Sequence, residues 1–135
     1  MLLAVVALLL FAVPHVEGSQ LTVRVTTNKA TYEAGEPIQL ELILENQGSE
    51  SITLEFSSSQ RYDFEIRNAE DEAIWRWSDE IGFAQMLGSE IVEPGGQLHY
   101  EEEFAMALDA GTYRVIGYVT SRGGELRGEL EITIQ

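Results

Sequence analysis

Residues 38–45 read Ile-Gln-Leu-Glu-Leu-Ile-Leu-Glu, with an apolar side chain at every second position. Successive side chains of a strand point to opposite faces, so this alternation buries one face and exposes the other. The same period of two recurs on both sides of this stretch, at residues 21–26, 52–56, 62–67 and 130–134. Repeated alternation is typical of antiparallel sheets that pack one face on a core. The sequence therefore predicts an all-β chain.

Turn residues separate these runs at the spacing expected of a β-sandwich. They fall at residues 35–37, 46–48, 94–96, 110–111 and 123–124. Tyr113 stands where immunoglobulin domains place a tyrosine whose hydroxyl returns to the upstream backbone. Val115 takes the place of the core cysteine of those domains, and the chain contains no Cys. We expect residues 19–135 to form a disulfide-free, immunoglobulin-like antiparallel β-sandwich.

The chain begins with an apolar run at residues 2–13, followed by Pro14 and the small residues Val16 and Gly18. The run is too short for a membrane span but has the layout of an export signal. We expect residues 1–18 to be a signal peptide and the mature protein to be exported, either secreted or periplasmic. An uncleaved chain would be cytoplasmic. Without Cys there is no cysteine-linked lipid anchor, so we expect no membrane attachment after cleavage.

The charge balance and the residue types argue against nucleic-acid binding, histidine-dependent catalysis and a calcium site. Eight basic residues oppose 23 acidic ones, giving a net charge of −15 that repels nucleic acids. One of the two histidines lies in the N-terminal stretch, so the mature chain keeps only His99. His99 shares an exposed strand face with Glu101 and Glu103, and no nucleophile motif accompanies it. The acidic clusters at 68–72 and 101–103 lack the spacing of a calcium loop and are interpreted as solvated surfaces. We therefore expect no enzyme, no catalytic residues, no cofactor and no metal.

The alternation fails at two places. At Glu102, strict alternation would point a carboxylate inward beside Tyr100 and Phe104, and we expect a β-bulge that turns this side chain outward. Residues 78–90 show no clean period and are predicted to form a short helical turn or an ordered loop.

Trp75 and Trp77 are two residues apart and so point to the same face of a strand. On an exposed face they would form an aromatic platform for a sugar or a peptide. On the inner face they would be central packing, which we favour because each ring buries a large apolar area.

The stretch from Phe56 to Met86 resembles the BsuPI domain family, named for an intracellular proteinase inhibitor of Bacillus. The elements that carry the resemblance are Ser57 to Gln60, Arg61, Tyr62, Trp75-Arg76-Trp77-Ser78 and Phe83-Ala84-Gln85. The resemblance implies a β-sandwich and, by analogy, inhibition of a serine protease. The motif residues could equally serve the structure, and these are Gln60, Arg61, Tyr62, Trp75, Arg76 and Trp77.

Our leading hypothesis is a monomeric, non-enzymatic domain that blocks or binds a serine protease, or another protein partner, through a rigid loop or edge strand. The segment 78–87 is the candidate loop because it is the longest stretch without alternation. Its candidate contact residues are Ser78, Ile81, Phe83, Gln85 and Met86. The alternative is an exported adhesion or assembly module that binds a protein or a glycan. Exposure of Trp75 and Trp77 to solvent would favour this alternative.

Overall fold

The structure, a computed structural model, describes residues 20–135, so the predicted signal peptide at residues 1–18 lies outside the described residues. Ten strands and one short 3-10 helix make up the regular structure of this part. The strands are β1 Leu21–Thr27, β2 Thr31–Tyr32, β3 Ile38–Asn46, β4 Ile52–Phe56, β5 Tyr62–Arg67, β6 Ala73–Arg76, β7 Gly88–Val92, β8 Gln97–Phe104, β9 Gly111–Val119 and β10 Leu126–Ile134. The 3-10 helix is Trp77–Glu80. Within residues 20–135, no helix has the length and apolar character that crossing a bilayer requires.

The strands form three sheets. One has the order β1-β3-β8, the second has the order β2-β10-β9-β5-β6, and β4 pairs with β7 in a two-stranded ribbon. Every pairing is antiparallel except that of β2 with β10, which is parallel and places Tyr32 beside Ile134. The all-β prediction is confirmed for the described residues, and this one parallel pair departs from the purely antiparallel arrangement.

The apolar side chains of β3 and β5 meet in one core between the two larger sheets. Leu42 and Leu44 of β3 are 0 % exposed, as are Phe64 and Ile66 of β5. Burying such a side chain contributes roughly 1.5–3 kcal/mol each. The sheets approach so closely at Gly117 of β9 that a Cβ there would lie 2.8 Å from side chains of β1 and β3. The alternation of residues 38–45 thus defines the inner face of the central strand.

Tyr113 at the start of β9 behaves as predicted. Its hydroxyl donates a hydrogen bond of 2.7 Å to the backbone carbonyl of Asp109, four residues upstream. Burial raises the pKa of the Tyr113 phenol, with a further contribution from the charge of Asp109. The bond ties the β8–β9 connection to the core.

The predicted bulge near Glu102 is wrong. The pairing of β3 with β8 runs without interruption from Ile38 opposite Phe104 to Glu45 opposite Gln97. Glu102 therefore does point inward, and its carboxylate accepts a hydrogen bond from the Tyr62 hydroxyl. This partner on the facing sheet removes the reason for a bulge, because the inward carboxylate is not left unpaired.

The segment 78–90 contains more regular structure than predicted. The helical turn is present at its start, as the 3-10 helix. Residues 81–87 have no regular structure, and β7 then begins at Gly88. The candidate loop is therefore a short connection between the 3-10 helix and β7.

Candidate protein-binding loop

The connection of residues 81–87, which we call the contact loop, carries a concentration of exposed apolar side chains. Ile81 is 41 % exposed, Met86 is 64 % exposed and Leu87 is 76 % exposed. Leu87 is the most exposed large apolar side chain of the described residues. The backbone at Ile81 is extended, with φ −119° and ψ 138°. Extended backbone with outward apolar side chains is the form in which a peptide enters a protein groove.

The first anchor of the loop lies at its N-terminal side. Asp63 of β5 is 8 % exposed, and its carboxylate accepts two hydrogen bonds from Ser78. The Ser78 hydroxyl donates to Oδ2 at 2.5 Å, and the Ser78 amide donates to Oδ1 at 3.0 Å. Oδ1 also accepts the amide of Phe64 at 2.9 Å. Ser78, a predicted contact residue, is therefore turned toward the sheet and fixes the start of the loop.

The second anchor lies in the middle of the loop. The Ser59 amide donates to the Ala84 carbonyl at 2.9 Å, and the Ala84 amide donates to the Ser59 hydroxyl at 2.9 Å. This reciprocal pair joins the loop to the connection between β4 and β5. Backbone held at two points loses less conformational freedom on binding than a free segment.

A row of aromatic rings supports the loop from below. Phe83 packs edge-on against Trp77 with ring centroids 5.8 Å apart. Trp77 stacks on Tyr62 at 4.6 Å, and Tyr62 stacks on Tyr100 of the facing sheet at 4.4 Å. Burial raises the pKa of the Tyr62 hydroxyl, and its hydrogen bond to Glu102 raises that pKa further. Phe83, the second predicted contact residue that turns inward, docks the loop on this row.

Trp75 takes part in the same packing. Its ring meets Phe104 edge-on at 4.9 Å, and both Trp75 and Trp77 are half-buried against the core. β6 ends at Arg76, so Trp77 begins the 3-10 helix and does not continue the strand as predicted. The interpretation of the two tryptophans as packing residues agrees with these contacts.

Arg61 and Gln60 hold the connection that receives the second anchor. The Arg61 guanidinium lies 4.4 Å from the centroid of the Phe56 ring, donates to the Ser58 carbonyl at 3.0 Å and pairs with Glu90 of β7 at 3.0 Å. Gln60 donates from its side-chain amide to the Tyr62 carbonyl at 3.0 Å. These motif residues brace residues 57–60 between β5 and β7.

Arg76 has its partner on the outer face of the five-stranded sheet. Glu65 of β5 is 0 % exposed and accepts hydrogen bonds from Arg76, from Arg67 at 2.8 Å and from the Tyr118 hydroxyl at 3.0 Å. Burial raises the pKa of Glu65, but its three donors lower it more, so the net pKa lies below the ordinary value. Arg76 therefore contributes to a satisfied buried charge beside the loop.

The predicted contact residues thus divide into two groups. Ile81 and Met86 are exposed on the loop together with Gln85, whereas Ser78 and Phe83 face the sheet. The sequence analysis missed Leu87 as a contact residue; it lies directly before Gly88, the first residue of β7. It also missed the anchors Asp63 and Ser59, which lie 15 and 25 residues from their partners.

Comparison with known families agrees with the motif found in the sequence. A family model described as BsuPI, intracellular proteinase inhibitor, matches residues 25–124, which include the whole contact loop. The chain belongs to the BsuPI family. This family is a class of inhibitors and not of enzymes, so the prediction of a non-enzymatic protein is confirmed.

The family description also corrects one prediction. We expected an exported protein, but the BsuPI family is described as an intracellular proteinase inhibitor, which contradicts secreted or periplasmic localisation. The prediction rested on the apolar run at residues 2–13, and no Lys or Arg precedes that run as it normally does in an export signal.

Several solved structures share the architecture. Spo0M, a sporulation control protein from Bacillus subtilis, is 17 % identical, and the match covers 87 % of this chain and 50 % of that chain with a TM-score of 0.56. The alkylpurine DNA glycosylase AlkC from Pseudomonas fluorescens is also 17 % identical, with 87 % and 31 % covered and a TM-score of 0.52. The CARDB domain of a Pyrococcus furiosus protein is 11 % identical, with 90 % and 93 % covered and a TM-score of 0.51.

This chain therefore spans half of the Spo0M chain and less than a third of the glycosylase chain. At these identities the likeness shows the fold alone. No curated protein matches the chain significantly.

Proposed function

We propose that this chain inhibits a serine protease by inserting the contact loop into the protease cleft. The observation that carries the proposal is that the contact loop exposes apolar side chains while hydrogen bonds at Ser78 and Ala84 hold its backbone to the rest of the domain. Membership of a proteinase inhibitor family supports a protease as the partner.

The loop suits this task because its order exists before binding. A segment that is already anchored at two points avoids much of the entropy cost of ordering on association. Met86 and Leu87 then supply apolar area that a protease pocket can desolvate. A few well-buried anchors of this kind carry most of the binding energy in protein interfaces.

The residue types in the loop indicate which kind of specificity pocket the target protease has. Residues 78–87 contain neither Lys nor Arg. A protease whose specificity pocket carries a carboxylate requires a basic side chain, whereas an apolar pocket accepts Leu or Met. We therefore propose a subtilisin-like or chymotrypsin-like enzyme as the target.

The contact loop is a better candidate than the edge strand β8. β8 is an edge of its sheet, and its outward side chains include Glu101 and Glu103. Charged residues on an exposed edge discourage the addition of another strand.

The adhesion or assembly alternative is not favoured. Trp75 and Trp77 pack against the core, so they do not form an exposed platform for a glycan.

Two finer features belong to the same proposal. We propose that the fold is of immunoglobulin-like type, which the Tyr113 hydrogen bond to the Asp109 carbonyl supports. We also propose that the inhibitor acts as a monomer, since a single loop provides the contact.

An inhibition panel tests the proposal. The full 135-residue chain is incubated with subtilisin, chymotrypsin and trypsin, residual activity is measured, and the mixtures are analysed by native mass spectrometry. We expect inhibition of one or both enzymes with an apolar pocket, a stable complex with an intact chain, and no inhibition of trypsin. Rapid digestion of the chain without inhibition of any enzyme would overturn the proposal.

A further inference from the structure

The outer face of the sheet β1-β3-β8 brings together three metal-binding side chains from distant parts of the sequence. Glu41 of β3 lies directly opposite Glu101 of β8 in the register of the two strands. His99 lies two residues before Glu101 on the same strand and so shares this outward face. All three side chains are accessible to solvent, with exposed side-chain fractions of 35 %, 70 % and 47 % for Glu41, Glu101 and His99.

The donor atoms of these side chains converge. His99 Nε2 lies 2.5 Å from Glu41 Oε2 and 3.5 Å from Glu101 Oε2. One ligand atom from each of the three residues lies within 4.8 Å of the other two. A tetrahedral zinc ion with donors at about 2.0 Å needs donors about 3.3 Å apart, so small side-chain rotations suffice.

A neighbouring side chain orients one of the ligands. The hydroxyl of Thr26 on β1 donates a hydrogen bond of 2.7 Å to Glu41 Oε1, which leaves Oε2 directed at His99. Such outer hydrogen bonds fix the ligands of metal sites. Thr26, Glu41 and Glu101 also line one surface recess, which lies beside the three converging side chains.

The cross-strand pair of glutamates points to a cation. Two like charges directly opposite on an antiparallel pair destabilise the sheet. A divalent ion between Glu41 and Glu101 would remove that repulsion, and the net charge of −15 raises the local concentration of cations.

We propose that Glu41, His99 and Glu101 form a binding site for a divalent transition-metal ion, with Zn²⁺ as its best fit. The imidazole nitrogen favours a transition metal over Mg²⁺ or Ca²⁺, which prefer oxygen donors alone. Three protein ligands on an exposed face leave the fourth position to water. The site lies on the β1-β3-β8 sheet and uses no residue of the contact loop.

Isothermal titration of the full chain with ZnCl₂ tests this proposal. We expect one Zn²⁺ per chain and at least a tenfold weaker affinity in each of the variants His99→Ala, Glu41→Gln and Glu101→Gln, because loss of a residue that only orients a ligand already costs about tenfold or more. MgCl₂ should give no binding. Melting temperatures without metal show whether each variant is folded, and all three should be, because the three side chains are accessible to solvent and lie outside the core.

Two matched controls complete the experiment. Glu103→Gln changes the next outward carboxylate of β8, and His15→Ala changes the other histidine of the chain. Both variants should bind Zn²⁺ as the unchanged protein does. Absence of zinc binding, an unchanged affinity in folded His99→Ala, or loss of binding in His15→Ala would each overturn the proposal.

Discussion

Replacing Ser78 by Ala removes the hydroxyl that donates to Asp63 Oδ2 at 2.5 Å. Asp63 is 8 % exposed, so solvent reaches the freed oxygen poorly. Oδ1 keeps its bonds from the amides of Ser78 and Phe64, and only one of the three hydrogen bonds is lost. A hydrogen bond to a charged group contributes about 1.5–3 kcal/mol, so we expect the free energy of unfolding to fall by about 2 kcal/mol.

The effect should be both global and local. Urea denaturation measures the change in unfolding free energy, with Ser57→Ala as the control because Ser57 is an exposed serine of the neighbouring connection. Hydrogen exchange measures the loop, and the amides of residues 78–84 should exchange faster in Ser78→Ala alone. A loss below about 0.5 kcal/mol, within the range of ordinary surface substitutions, together with unchanged exchange would refute the role of Ser78 as an anchor.

Three further predictions concern the scaffold. Gly117→Ala places a Cβ 2.8 Å from side chains of the facing sheet. In urea denaturation, the free energy of unfolding should fall by about 1–3 kcal/mol, and an unchanged value would contradict the close approach of the two sheets. Tyr113→Phe deletes the hydrogen bond to the Asp109 carbonyl and should cost about 1 kcal/mol in the same assay, whereas an equally stable variant would show that the bond contributes nothing. The folded-state pKa of Glu65 is lowered, so its contribution to stability is complete above its unfolded pKa of about 4.3 and is lost as the pH falls through the folded value. Glu65→Gln should therefore be less stable at neutral pH but show a flatter melting-temperature profile below about pH 4, and parallel profiles would refute the assignment.

Much of the fold could be predicted because alternation is a local property. Residues 38–45 define the inner face of β3 without reference to the rest of the chain, and the position of Tyr113 predicted its hydrogen bond. β7 was not predicted because Val92 is its only buried residue, so the strand shows no buried alternating face. Its structure depends on the backbone pairing with β4, which the local sequence does not reveal. Trp77 was expected to continue the strand of Trp75, but it begins the 3-10 helix instead. The next residue, Ser78, donates a hydrogen bond to Asp63 of β5, a contact that the local sequence does not reveal.

The candidate site depended on contacts that no local pattern reveals. The break in alternation indicated where the contact loop lies, and Ile81 and Met86 were predicted as contact residues because they are apolar side chains in that segment. The partners of Ser78 and Ala84 lie on other connections, so their inward orientation required the tertiary structure. The pairing of Glu41 with His99 spans 58 residues and depends on the β3–β8 register, which the sequence alone does not fix.

The central claim is that the contact loop is the inhibitory surface, and a matched pair of substitutions tests it most directly. Leu87→Asp places a charge on the loop, and Met106→Asp places the same charge on a comparably exposed apolar side chain between β8 and β9. The measurement is the inhibition constant of each variant against a protease that the unchanged chain inhibits. We predict that Leu87→Asp weakens inhibition by at least 2 kcal/mol, about thirtyfold, while Met106→Asp leaves it unchanged. Equal inhibition by the two variants would contradict the assignment of the contact loop.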